Sequence, residues 1–158
     1  MHMLKASNTL TKQHVLDFLK GEKQMCLATF GSFPWIATVY YTFDDNLHLY
    51  FMSDQSTLHC QQIAQNSRVA IAIANSNQNI NKPKRGLQIS GIVEQLSSVE
   101  KVTQALKMWK QYLHVRDPGL TYKAVKNSMY RITPKRIKLF DQELFKTEDG
   151  KESVMELE

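Results

Sequence analysis

The chain is poor in the residues that mark the commonest catalytic and scaffold designs. Its two cysteines, Cys26 and Cys60, have neither metal-ligand nor redox spacing, which excludes a zinc ribbon, a CxxC redox pair and a disulfide framework. Cys26 lies in an apolar strand pattern and reads as a small core residue. Cys60 reads as accessible, with nothing beside it that marks a nucleophile. The five histidines, His2, His14, His48, His59 and His114, show no metal-ligand spacing. The six glycines form neither a dinucleotide nor a P-loop fingerprint. No Ser-His-Asp or Cys-His set can be nominated from sequence order, so no catalytic side chain is assigned. No apolar run is long enough to cross a membrane, and Met1 to Lys20 is polar and amphipathic rather than a secretory leader. A cytoplasmic, reducing location with two free thiols is expected.

What is present suits one domain with a real core: 158 residues, 42% hydrophobic and 22% charged. The net charge of +5 is unevenly spread. Residues 143–158 hold six acidic and two basic side chains, leaving 18 basic and 9 acidic on residues 1–142. A basic body of net +9 with an acidic end of net −4 suits an anionic partner, a phosphate-bearing cofactor or nucleic acid. Residues 1–142 are expected as one domain and 143–158 as a solvated acidic tail.

Periodicity supplies the elements. Ser7 or Thr9 caps a helix with Leu10, Val15, Phe18 and Leu19 on one face, ended by Gly21. Met25–Phe30 and Trp35–Phe43 are β-rich runs about a turn at Gly31-Ser32-Phe33-Pro34. Asp44-Asp45-Asn46 is a second turn, leading to alternating Leu47, Leu49 and Phe51. Ser56–Asn66 is a short helix. Val69–Ala74 is nearly continuously apolar, as in a strand covered on both faces. Asn75–Arg85 is a polar loop and Gly86–Leu96 a strand. Ser98 opens a helix through Val102, Leu106, Trp109 and Leu113, with Trp109 read as packing. A short helix at Tyr122–Lys126 precedes strands at Met129–Ile132 and Arg136–Phe140. This order, with no βαβ alternation, predicts a mainly β, six-stranded antiparallel split β-barrel with flanking α-helices, an α+β fold.

The order and spacing of these pieces also resemble the flavin-binding split barrels related to pyridoxamine 5′-phosphate oxidase. The resemblance rests on Trp35–Phe43, the Asp44-Asp45-Asn46 turn, Leu47–Ser53, Thr57-Leu58-His59, Cys60–Asn66 and Arg68-Val69-Ala70-Ile71-Ala72-Ile73. Gly86–Val93 and Met129–Ile137 match later family segments, so it spans roughly Leu16 to Phe140. It implies a homodimer with FMN at the subunit interface and flavin-dependent redox chemistry. The implied cofactor contacts are Ser53, Thr57 and His59 on the phosphate, Val39, Tyr40 and Tyr41 beneath the flavin ring, Gln88 approaching from the partner subunit, and Lys84 beside the phosphate of a neighbouring chain. Where the family commonly has Arg then Lys, this chain has Leu58 and His59. A histidine there is neutral at pH 7 unless a bound phosphate raises its pKa. No Arg and His set for a vitamin B6 substrate is evident, and the substrate stays open.

Read without the resemblance, the same residues allow plainer roles. Ser56 or Thr57 is an ordinary N-cap, His59 a surface helix residue, Tyr40 and Tyr41 fillers on opposite faces of a strand, and Lys82, Lys84 and Arg85 a solvated loop. Two other functions remain beside the FMN oxidoreductase. One is a non-enzymatic binder of flavin, haem or another anionic cofactor. The other, ranked last, is a nucleic-acid-binding barrel, because Tyr40, Tyr41, Tyr50 and Phe51 are not interleaved with basic residues.

Overall fold

Large apolar side chains at every second position build the barrel wall. The structure is a computed structural model and describes residues 9–145 and 153–158. In β5 (Arg68–Ile73), Val69, Ile71 and Ile73 are buried while Ala70 and Ala72 face outward. In β1 (Gln24–Phe30) the inward residues are Met25, Leu27 and Thr29. The remaining strands are β2 (Pro34–Tyr40), β3 (Thr42–Phe43), β4 (Leu49–Met52), β6 (Arg85–Gln95), β7 (Met129–Asp141) and β8 (Val154–Glu156). They form one antiparallel sheet in the order β2-β1-β5-β6-β7-β4-β3, with β8 on β7. The fold is mostly β, a curled antiparallel sheet of the split-barrel kind with helices outside it.

Tyr41 turns the sheet into a barrel. The chain pairs with β1 up to Tyr40 and with β4 from Thr42, so one run serves both ends of the sheet. Tyr41 is fully buried at the corner, its N–H bonded to Lys23 O at 3.0 Å and its hydroxyl donating to Leu19 O at 2.7 Å. The single run expected over Trp35–Phe43 is therefore two strands, because the barrel's curvature breaks it there.

The reverse holds at Met129–Asp141, one strand where two are expected. The β6–β7 register shifts between Ser90 and Gly91, pairing Ser90 with Arg136 and Gly91 with Pro134. A proline costs least at such a bulge. Gly91 is required: a Cβ there would lie 2.6 Å from Thr133 O.

Three helices cover the barrel. Thr11, rather than Ser7 or Thr9, caps α1 (Lys12–Lys20), and His14 completes a capping box; Ser7 lies outside the described residues. α2 (Leu58–Gln65) is capped by Thr57 and α3 (Val99–Leu113) by Ser98. A fourth, one-turn helix α4 (Tyr122–Val125) joins α3 over a second apolar cluster of Tyr50, Leu96, Val102, Leu106, Val125 and Met129. Tyr112 ties α3 to the C-terminal end of α1, its hydroxyl proton shared between the Leu19 and Glu22 carbonyls. No described helix is long and apolar enough to cross a membrane.

The acidic end is not all solvated tail. Phe145 enters the core, and β8 pairs with β7 through Glu156 opposite Arg136, Met155 opposite Ile137 and Val154 opposite Lys138. The β7 edge beyond β4 is open there, and backbone pairing satisfies it. Residues 146–152 of the expected tail lie outside the described residues.

Candidate functional site

Two places collect polar chemistry. The first is the junction between β4 and α2. Thr57 accepts from Cys60 N at 3.4 Å and donates to Asp54 O at 2.8 Å. His59 is buried, with Nε2 at 2.6 Å from Ser53 Oγ and 3.3 Å from Thr57 Oγ1. The fold therefore brings Ser53, Thr57 and His59 together, with their hydrogen-bonding atoms turned on one another. Burial lowers the His59 pKa below its usual 6.5, so the ring is neutral at pH 7. Asp54 beside it is held ionised by Ser56 Oγ at 2.6 Å and Ser56 N at 2.8 Å. A cationic His59 for a phosphate at this corner would have to gain its proton against that burial.

The other residues expected to hold a cofactor are spread over the barrel. Val39 points into the core, and Tyr41 is sealed there with its hydroxyl pKa pushed far up by burial. Tyr40 is exposed on the outer face. Lys84 sits at the end of the polar loop, its N–H on Gln142 Oε1 at 2.9 Å and its Nζ at 3.4 Å from Lys82 O. Gln88 lies in the second place.

That second place is a basin of about 470 Å³ on the outer face of β2, β1, β5, β6 and β7. Strand register makes it. One row across the sheet reads Ile36, Ala28, Ala70, Ser90, Arg136, and the next Thr38, Cys26, Ala72, Gln88, Lys138. Small side chains in the middle strands leave a shallow floor, with Ile36 at one wall and Arg136 and Lys138 at the other. Along the strands, Tyr40 and Gln24 border a further groove of about 500 Å³. Cys26 is half-buried in the basin, whereas Cys60 is buried, the reverse of the expected order. The pleat explains it: Cys26 alternates outward between Met25 and Leu27, and α2 turns Cys60 onto the barrel.

Of the expected site residues only Gln88 lines this basin. Most of its other members, three alanines, three isoleucines, a serine and Cys26, carry weak sequence signals, and Arg136 and Lys138 stand out only as strand cations. The usable signal was parity, since once the inward residues of each strand are known the outward ones follow.

The architecture places the chain among the antiparallel split barrels. The family described as "Pyridoxamine 5'-phosphate oxidase" matches residues 11–141, and the chain belongs to that family. No curated protein matches it. Among known structures it is similar to a conserved hypothetical protein of Mycobacterium tuberculosis, with 15% identity, TM-score 0.73, and coverage of 90% of this chain and 92% of that one. It is also similar to an FAD-binding protein of Mesorhizobium loti, with 17% identity, TM-score 0.63, and coverage of 81% and 90%. A third likeness is to a heme binding protein of Mycobacterium smegmatis, with 14% identity, TM-score 0.67, and coverage of 99% of this chain and 60% of that one.

Proposed function

We propose that this chain is a cytoplasmic homodimeric flavoprotein that holds FMN on the outer face of the barrel and acts as an FMN-dependent oxidoreductase. The observation that carries the reading is the basin itself. Its floor of Ala28, Ala70, Ala72 and Ser90 offers a planar ring system a flat surface with no large side chain in the way. The Gln88 amide has both a donor and an acceptor for a ring edge. Arg136 and Lys138 supply the positive wall that a phosphate needs. The cavity falls within the usual size of small-molecule sites. An FAD-binding structure with this fold is compatible with a flavin, as a heme binding one is with the alternative of a haem.

The homodimer is part of this reading. β5 carries apolar residues on both faces, as a strand covered on both sides does, yet in the single chain Ala70 and Ala72 lie open. Phe30, Ile36, Tyr40, Ile92 and Phe140 are exposed on the same outer face. A contiguous apolar face marks an association surface, and a second copy covers both it and the open side of the flavin. The flavin, when bound, supplies the electron transfer. The chain's residues bind and orient it and shield it from water, so no side-chain nucleophile is called for.

The test is an absorbance scan of purified protein across the near-ultraviolet and visible, before and after excess FMN and desalting. Retained flavin bands, lost in Arg136→Ala/Lys138→Ala, support the basin. Bands lost instead in Thr57→Ala/His59→Ala move the phosphate to the β4–α2 corner. No retained flavin overturns the reading.

A further inference from the structure

The row of outward side chains that crosses the basin does not stop at Arg136. It continues on to β8, where Glu156 stands opposite Arg136 and its Oε1 lies 2.5 Å from Arg136 Nη1. The acidic end of the chain thus lays a carboxylate on a cation that lines the basin. We propose that Glu156 is a built-in competitor for that cation: the basin's ligand brings an anionic group to Arg136, and it binds by displacing the Glu156 carboxylate. This inference rests on the outer-face basin as the binding site.

The construction of β8 suits a carboxylate that moves while its strand stays. Leu139 N donates to Ser153 O at 3.1 Å and Leu157 N to Lys135 O at 2.8 Å, so backbone bonds hold the strand on both sides of Glu156. Met155 and Leu157 pack against the main core, and alternation turns Glu156 the other way. Both partners of the pair are open to solvent, Arg136 at 59% and Glu156 at 63% side-chain exposure. An exposed pair of this kind is weak. A phosphate accepting from the guanidinium through two oxygens makes the stronger contact. The pair keeps the arginine extended beside the basin without the ligand and yields to a dianion.

The test measures FMN affinity by flavin fluorescence at low ionic strength for the full chain and for Glu156→Gln, Glu158→Gln, Arg136→Ala and Arg136→Ala/Glu156→Gln. Glu156→Gln keeps the side chain's shape and should tighten FMN by about twofold to fivefold, the range an exposed pair allows. Glu158→Gln removes the same charge from the same segment and should change affinity less. In the Arg136→Ala background, Glu156→Gln should have no effect. A Glu156→Gln gain no larger than that of Glu158→Gln, or one that persists without Arg136, overturns the proposal. If no protein in the set binds FMN, the flavin reading falls, and titration with inorganic pyrophosphate decides this one separately. Tighter pyrophosphate binding in Glu156→Gln that needs Arg136 upholds it; equal or absent binding overturns it.

Discussion

Ser53 Oγ stands 2.6 Å from His59 Nε2, and the contact joins a hydroxyl to a buried ring that burial keeps neutral. Because the folded-state pKa of His59 lies below the unfolded value near 6.5, the unfolded chain binds the extra proton more readily. The stability held by the neutral ring is complete above pH 6.5 and is lost as the pH falls below it. Thermal melts from pH 8 to pH 5 should show a steeper acid-side drop for the wild type than for His59→Gln. Parallel curves would show that His59 is not the titrating group.

Gly91 faces a backbone oxygen, and its tolerance is a direct test of the β6–β7 bulge. The added methyl of Gly91→Ala meets Thr133 O at 2.6 Å and Pro134 Cα at 3.2 Å, neither of which moves without breaking the register. The cost should be about 1–3 kcal/mol. Gly86→Ala, whose nearest neighbour is Ile73 O at 3.9 Å, should be tolerated. Urea denaturation of the two variants makes the comparison.

Two tyrosine hydroxyls share one acceptor, Leu19 O, at 2.7 Å from Tyr41 and 2.6 Å from Tyr112. Tyr41→Phe should cost about 1 kcal/mol, the usual net worth of such a bond. Tyr112→Phe also frees the Glu22 carbonyl and loosens α3. The shared acceptor makes the pair non-additive: either hydroxyl alone keeps the Leu19 carbonyl partnered, so the double variant should lose more than the two single losses combined. Additive losses in chemical denaturation would show that the two bonds act independently.

Self-association is read by a charge placed at the centre of the outer face. Ala70 is exposed between Ala28 and Ser90 on the basin floor. Sedimentation should give a dimer mass for the wild type and a monomer for Ala70→Glu, with unchanged circular dichroism. A wild-type chain that sediments as a monomer removes the homodimer from the proposed function.

Much of the barrel could be read along the chain because its signals are local. Alternation in Met25–Phe30, the Ser98 start of α3 and the Asp44 turn each depend on neighbours within a few residues. Asp44 Oδ1 takes the N–H groups of Asn46 and His48 at 2.9 and 3.0 Å, and Oδ2 takes the Tyr50 hydroxyl at 2.9 Å. Burial and this carboxylate push the Tyr50 pKa up to about 12. Met129–Asp141 is one strand rather than the two expected because the bulge that receives Pro134 lies with Gly91 on another strand, outside the local pattern. Cys26 and Cys60 were exchanged in exposure because an apolar run does not say which of its faces has a neighbour.

The sequence alone determined which residues of β1 and β5 alternate, where α3 begins, and an element order without βαβ alternation that suits an antiparallel barrel, since those follow from short-range periodicity and backbone chemistry. Only the tertiary structure decided which outward side chains gather. Cys26, Ala72, Gln88 and Lys138 meet in one row because four strands pair in one register. Glu156 reaches Arg136 only because β8 fills the free edge of β7. Register sums hydrogen bonds and packing over the whole sheet, so no segment carries it by itself.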